Sequence, residues 1–201
     1  MQFSKTIESA VLKLTNLLDC RCNVPPEQSL TEYDMALLWL RIKQQGMDKY
    51  MFCSGEVDTY EKFKAIVNEE KCWVYAGFSK ETGEPVGLAI LDTFIGKTAR
   101  FHYTFFRNPE SVQHKEEYAK ALFDLLFANR TVDCLIFTTP CSFRHSNALA
   151  RSIGATFVGS IPSLILVKNF KTGEATYPMC NIYTLTSPHY NSNTKDVIDN
   201  G

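Results

Sequence analysis

The chain has 201 residues, of which 45% are apolar and 21% charged, enough for one sizeable core and short for two. Its formal net charge of −1 leaves no electrostatic footprint for nucleic acid or for an anionic membrane. No run approaches the ~20 apolar residues of a membrane span, and the N-terminus lacks the basic, apolar, small-residue order of a signal peptide, so the expected location is cytoplasmic.

From Thr6 to about Leu18 the apolar residues Ile7, Ala10, Val11, Leu14, Leu17 and Leu18 recur at intervals of three and four. That spacing predicts an amphipathic helix, and residues 1–30 read as a helical N-terminal extension. Cys20 and Cys22 form a C-x-C pair without a second cysteine or histidine pair at finger-like distance, so they do not define a zinc site. The whole set of seven (Cys20, Cys22, Cys53, Cys72, Cys134, Cys141, Cys180) is odd in number. Several lie in apolar runs such as VDCLIF, as free thiols do in a reducing compartment.

Two consecutive prolines, Pro25 and Pro26, force an extended backbone, after which Ser29 or Thr31 caps a helix running to about Gln45 and stopped by Gly46. A short third helix follows between Glu56 and Glu70, capped at Asp58 or Thr59, with Phe63, Ile66 and Val67 on one side. The period then changes. CWVYAGFS, VGLAILDTF and ARFHYTFF are β-rich runs separated by turn residues, a three-stranded antiparallel meander over residues 72–106.

From about Ser111 to Asn129, Tyr118, Ala119, Leu122, Phe123, Leu125, Leu126 and Phe127 form the broadest helical face in the chain. VDCLIFTTP reads as a fully buried strand without alternation, parallel to the strand before that helix. A helix over roughly His145 to Ile153, stopped by Gly154, precedes one long strand, ATFVGSIPSLILVKN, then a turn at 171–174 and a last strand around MCNIYTL. The tail 189–201 is polar and expected to fray.

This order, and the segment F-R-H-S-N-A-L-A-R-S-I-G-A-T-F-V-G, resemble the GNAT superfamily of acetyl-CoA-dependent N-acetyltransferases over roughly residues 34–186. Ser146 takes the place of the family serine, Ile153-Gly154 the end of the helix and Gly159 the second glycine. The resemblance implies an α/β (α+β) domain over residues 31–188, with a mixed, mostly antiparallel sheet flanked by helices. It implies acetyl-CoA as cofactor and N-acetyl transfer as activity.

Two departures stand beside it. The family's Q/R-x-x-G-x-G/A loop holds the cofactor pyrophosphate on backbone N–H groups at a helix N-terminus, where glycine lets the phosphates approach. The matching stretch here, RNPESVQHKEEYAKAL, has no glycine. It offers Arg107, His114 and Lys115 as cofactor-binding residues, with Ser146, and sets Glu110, Glu116 and Glu117 against them. The family's tyrosine acid corresponds to Ala150.

Acyl transfer to an amine needs a base and donors for a developing oxyanion. In the fold that the resemblance implies, His102 and Tyr103 on the family's fourth strand (here ARFHYTFF), with Thr138, Thr139, Cys141 and Ser142 at the end of its fifth (VDCLIFTTP), are placed for this. Alternation predicts that only one of His102 and Tyr103 faces the cleft. Cys141 with His145 four residues on is a nucleophile pair of a cysteine hydrolase only if a third residue orients it, and none is visible. Two functional readings follow: an acyl-CoA-dependent N-acetyltransferase acting on a small-molecule or protein amine, or a non-catalytic scaffold of the same fold. The scaffold would bind a protein partner or self-assemble, as in a phage structural or accessory protein.

Overall fold

The computed structural model describes residues 12–16, 30–69, 71–128 and 132–187. Helix α1 (Glu32–Gln44) begins at a reciprocal cap: the Thr31 hydroxyl accepts from Asp34 N–H and the Asp34 carboxylate accepts from Thr31 N–H. Two donors that the first turn cannot satisfy internally are thereby paired. Its buried residues Met35, Leu38 and Ile42 share one face, and Gly46, at φ +61°, takes the left-handed conformation that ends the helix. A single turn, α2 (Asp48–Met51), and α3 (Tyr60–Val67), capped by Thr59, follow.

β2 (Trp73–Ser79), β3 (Pro85–Ile95) and β4 (Thr98–Phe105) form the expected meander, and α4 (Pro109–Ala128) crosses to β5 (Cys134–Pro140), which runs parallel to β4. Next come α5 (Arg144–Ser152), β6 (Thr156–Ile161), a small hairpin of β7 (Val167–Lys168) and β8 (Ala175–Thr176), and β9 (Cys180–Thr186). With β1 (Leu12–Asn16) the main sheet has, among the described residues, seven strands in the order β1-β2-β3-β4-β5-β9-β6.

Alternation along the strands divides the core into two layers. Leu38, Ile42, Phe63 and Val67 of α1 and α3 pack on Val74, Ala76, Phe78, Leu88 and Ile90. Tyr118, Leu122, Phe123, Leu126 and Phe127 of α4 pack on the opposite face against Tyr75, Ala89, Leu91, Phe101 and Phe137.

Three sequence expectations differ from this structure. The helix predicted over Thr6–Leu18 meets a strand at Leu12–Asn16, antiparallel to β2. The run LKLTN also alternates apolar and polar residues, and an open neighbouring edge decides in favour of period two; residues 1–11 and 17–29, with Cys20 and Cys22, lie outside the described residues. The long strand ATFVGSIPSLILVKN is broken after Ile161, where Pro162 cannot donate to a ladder and Ser163 sits at φ 58°. β5 alternates between buried and half-buried residues as far as Thr139, because one face, carrying Leu135 and Phe137, meets the core, and only its C-terminal end from Phe137 to Pro140 lines a cleft. The tail 189–201 lies outside the described residues.

Candidate active site

The sheet opens where two pairings compete for β5. β4 and β5 are in register only from Thr98 to Arg100 and from Cys134 to Ile136, whereas β5 stays paired with β9 from Cys134 to Pro140. Beyond Arg100 the parallel pair therefore parts, and a cleft of about 420 Å³ occupies the gap. Its walls are the ends of β4 and β5, residues 50–57 after α1, the α5 face carrying Ser146 and Ala150, and residues 164–166.

A charged cluster stands in it. Arg100 donates from Nε to Asp92 Oδ1 at 2.6 Å and from an η nitrogen to Oδ2 at 2.8 Å, and His102 Nε2 lies 3.5 Å from Asp92 Oδ2. The Thr93 hydroxyl adds a bond to the same carboxylate at 3.0 Å. The register of β3 slips between Asp92 and Ile95, with Thr93 at φ 50°. Such an irregularity re-aims the neighbouring side chain. Burial alone would raise the pKa of Asp92, but bonding to His102 and Arg100 outweighs it and holds the carboxyl well below the usual range.

The floor is aromatic. The Tyr103 ring lies 5.4 Å from Phe101, 5.5 Å from Phe105 and 6.2 Å from Phe137. Its hydroxyl is buried without a hydrogen-bond partner, and desolvation pushes the phenol well above its ordinary pKa.

His102 and Tyr103 do leave opposite faces of β4: Ile90, the cross-strand partner of His102, belongs to the α1–α3 core layer, and Tyr103 packs against the α4 layer. Both nevertheless line the cleft, because it passes through the sheet between parted strands. The expectation that only one of them faces it is thus corrected.

Thr138, Thr139 and Ser146 also line it, whereas Cys141 and Ser142 sit exposed on the turn beyond β5 and do not. The Cys141 thiol donates to Asn181 Oδ1 at 3.1 Å. Arg107 and Lys115 are exposed and His114 is turned inward, 6% exposed, on the α4 face it shares with Ser111 and Tyr118. The three cationic candidates for a phosphate therefore do not converge.

Asp92 and Arg100 are functional candidates that the motif reading missed. The turn at Gly96-Lys97 sets Asp92 opposite Arg100, so the signal was the sequence distance from that turn. Asn147 was missed as a positioning residue. Its amide nitrogen donates to the carbonyls of Pro140 and Phe143, and its oxygen accepts from Asn181 at 2.7 Å and Tyr183 at 3.0 Å. This buried amide ties α5 to β5 and β9, and so fixes two walls of the cleft.

The α4 N-terminus does not fit a pyrophosphate. Arg107 N–H donates to Gln45 Oε1 at 2.6 Å, Ser111 N–H donates to Asn108 Oδ1 at 2.7 Å, and Pro109 has no N–H. Glu110 brings an acid into the first turn. Two of the donors, and the positive end of the helix dipole, are thus already answered from within the chain. Among the described residues no group of three or more His, Cys, Asp and Glu is placed to hold a metal ion, and no helix is long and apolar enough to cross a membrane.

A seven-stranded sheet whose central parallel pair parts around a cleft defines a GNAT-type fold. Solved structures agree. The acetyltransferase from Salmonella typhimurium that modifies the N-terminal serine of ribosomal protein L7/L12 superposes with a TM-score of 0.67 at 13% identity, over 89% of this chain and 96% of that one. RimL, the ribosomal L7/L12 α-N-protein acetyltransferase, in complex with coenzyme A, gives 0.63 at 18% identity, over 89% and 95%. The microcin C7 self-immunity acetyltransferase MccE, in complex with acetyl-CoA and AMP, gives 0.60 at 17% identity, over 76% and 86%. No protein-family model and no curated protein sequence matches the chain.

Proposed function

We propose that this chain is a GNAT-fold N-acyltransferase whose acceptor is a primary amine entering the cleft between β4 and β5. One observation carries the reading: His102 stands in the cleft with Asp92 behind it. Imidazole is the side chain whose ordinary titration falls at physiological pH. With Nε2 turned to Asp92, Nδ1 is the atom left to take the proton from an incoming ammonium, and Asp92 stabilises the imidazolium that forms. With Asp92 paired to Arg100, Glu56 is the acid left in the walls to favour a cationic acceptor. Arg100 orients Asp92 and is a positioning residue. The structural neighbours bound to acetyl-CoA or coenzyme A support an acyl-CoA as the acyl source.

The test is release of free thiol from acetyl-CoA in the presence of peptides and small molecules bearing a primary amine. Turnover is expected, with a loss of about 100-fold or more in His102→Gln, the usual contribution of a general base. Full activity in that variant sinks the base assignment, and absence of turnover with every amine sinks the enzyme reading. The second reading, a non-catalytic scaffold, is favoured by one observation, the self-capped α4 N-terminus. It predicts no thermal stabilisation by acetyl-CoA or CoA, and a partner or self-association in solution.

A further inference from the structure

Gln45 and Asn108 turn the phosphate-binding end of a GNAT-type fold into a closed joint. Asn108 is held at both ends of its amide, accepting from Ser111 N–H and donating from Nδ2 to the Pro85 carbonyl at 2.8 Å, while its own carbonyl takes Val112 N–H at 3.2 Å. Gln45, the residue that ends α1, reaches across to Arg107 N–H from 62 positions away in the chain. An anion seating on the Arg107 or the Ser111 N–H must break the bond that group already makes, and it gains no glycine backbone to approach. It also meets Glu110, and the nearby cations Arg107 and Lys115 gain little from exposed pairing.

From these bonds we infer that Gln45 and Asn108 are specificity-determining residues: they exclude the nucleotide end of a donor, so the protein selects an acyl thioester by its acyl end and short amide arm alone. The inference rests on the N-acyltransferase reading for the word donor, whereas the closure of α4 stands without it. The cleft between β4 and β5 remains open to the acyl end, because its walls owe nothing to the α4 cap.

Two measurements test it. The first is independent of turnover: the protein is titrated with 3′-phosphoadenosine 5′-diphosphate at millimolar concentration while its backbone amide resonances are followed by NMR. The signals of Arg107, Asn108 and Ser111 are expected to stay in place; a saturable shift of these amides overturns the inference, whatever becomes of the enzyme reading. The second compares S-acetylpantetheine with acetyl-CoA as donor. The two kcat/KM values are expected to agree within about threefold, and a preference for acetyl-CoA above about tenfold, which would mean differential binding of the nucleotide, overturns it. In the double variant Gln45→Ala/Asn108→Gly, which frees both amides, the preference for acetyl-CoA is expected to rise at least about threefold. An unchanged preference in a variant with a wild-type melting curve removes the role given to these two side chains. Should neither thioester support turnover, the enzyme reading fails and the nucleotide titration alone decides the closure.

Discussion

Asp92 is the side chain that links the charge of the cleft to the stability of the sheet. It accepts from Arg100 and Thr93 and faces His102, and its depressed folded pKa means that the native state prefers the carboxylate more than the unfolded chain does. A depressed acid contributes stability that is complete above its unfolded value of about 3.9 and is lost as pH falls toward the lower folded value. Asp92→Asn is therefore expected to destabilise the protein by about 1 kcal/mol at neutral pH, a figure reduced for the partial exposure of the group. In urea titrations the gap between wild type and variant should be no smaller at mildly acidic pH than at neutrality, and should close below about pH 4. A gap that persists unchanged at pH 2 or below would show that the carboxylate's charge is not its source. The same residue shows what the sequence withheld. His102 and Tyr103 were legible as cleft residues because the family resemblance implies a cleft at their strand, but a lone Asp in VGLAILDTF carries no motif. Its role emerges only when the register fixes Arg100 opposite it and the slip after Asp92 fixes its aim.

At the scale of elements, α4 is seated on the sheet by one ring against two glycines. Tyr118 is fully buried and donates to the Tyr75 carbonyl at 3.2 Å. A Cβ at Gly77 would overlap its ring, and one at Gly87 would come within 2.5 Å of it. Both strand glycines serve close approach rather than turning. Gly87→Ala is expected to cost about 1–3 kcal/mol by overpacking, and Tyr118→Phe about 1 kcal/mol through the lost hydroxyl bond. Chemical denaturation of both variants checks the order; an alanine at 87 tolerated better than the phenylalanine at 118 contradicts this seat. Helices α1, α3, α4 and α5 and the meander were legible from spacing, since their apolar faces are long enough for the period to be unambiguous. The stretch after α5 was not, because apolar ILVK continues beyond Pro162 as though the strand did. The φ of Ser163 and the departure of residues 164–166 to the cleft are tertiary facts.

For the whole molecule, Leu12–Asn16 pairs with Tyr75–Ser79 as the edge of the main sheet, which argues against setting residues 1–30 apart as an extension. The helical spacing of Ile7 to Leu18 misled because a five-residue strand is too short for its alternation to outweigh a competing period of 3.6. What decides the matter is β2, every residue of which is buried. A strand so covered depends on neighbours on both sides, and removing β1 leaves its N–H and C=O groups as an open apolar edge of the kind that recruits other chains. A chain beginning at Leu30 is therefore expected to lose more than a dispensable extension. It should keep most of its helical circular dichroism, since α1 to α5 lie within it, yet melt earlier and associate as concentration rises. Light scattering and a sizing column over a concentration series read this directly. A truncated chain that stays monomeric with an unchanged melting temperature would place the first strand outside the cooperative fold, and would restore the boundary near residue 30.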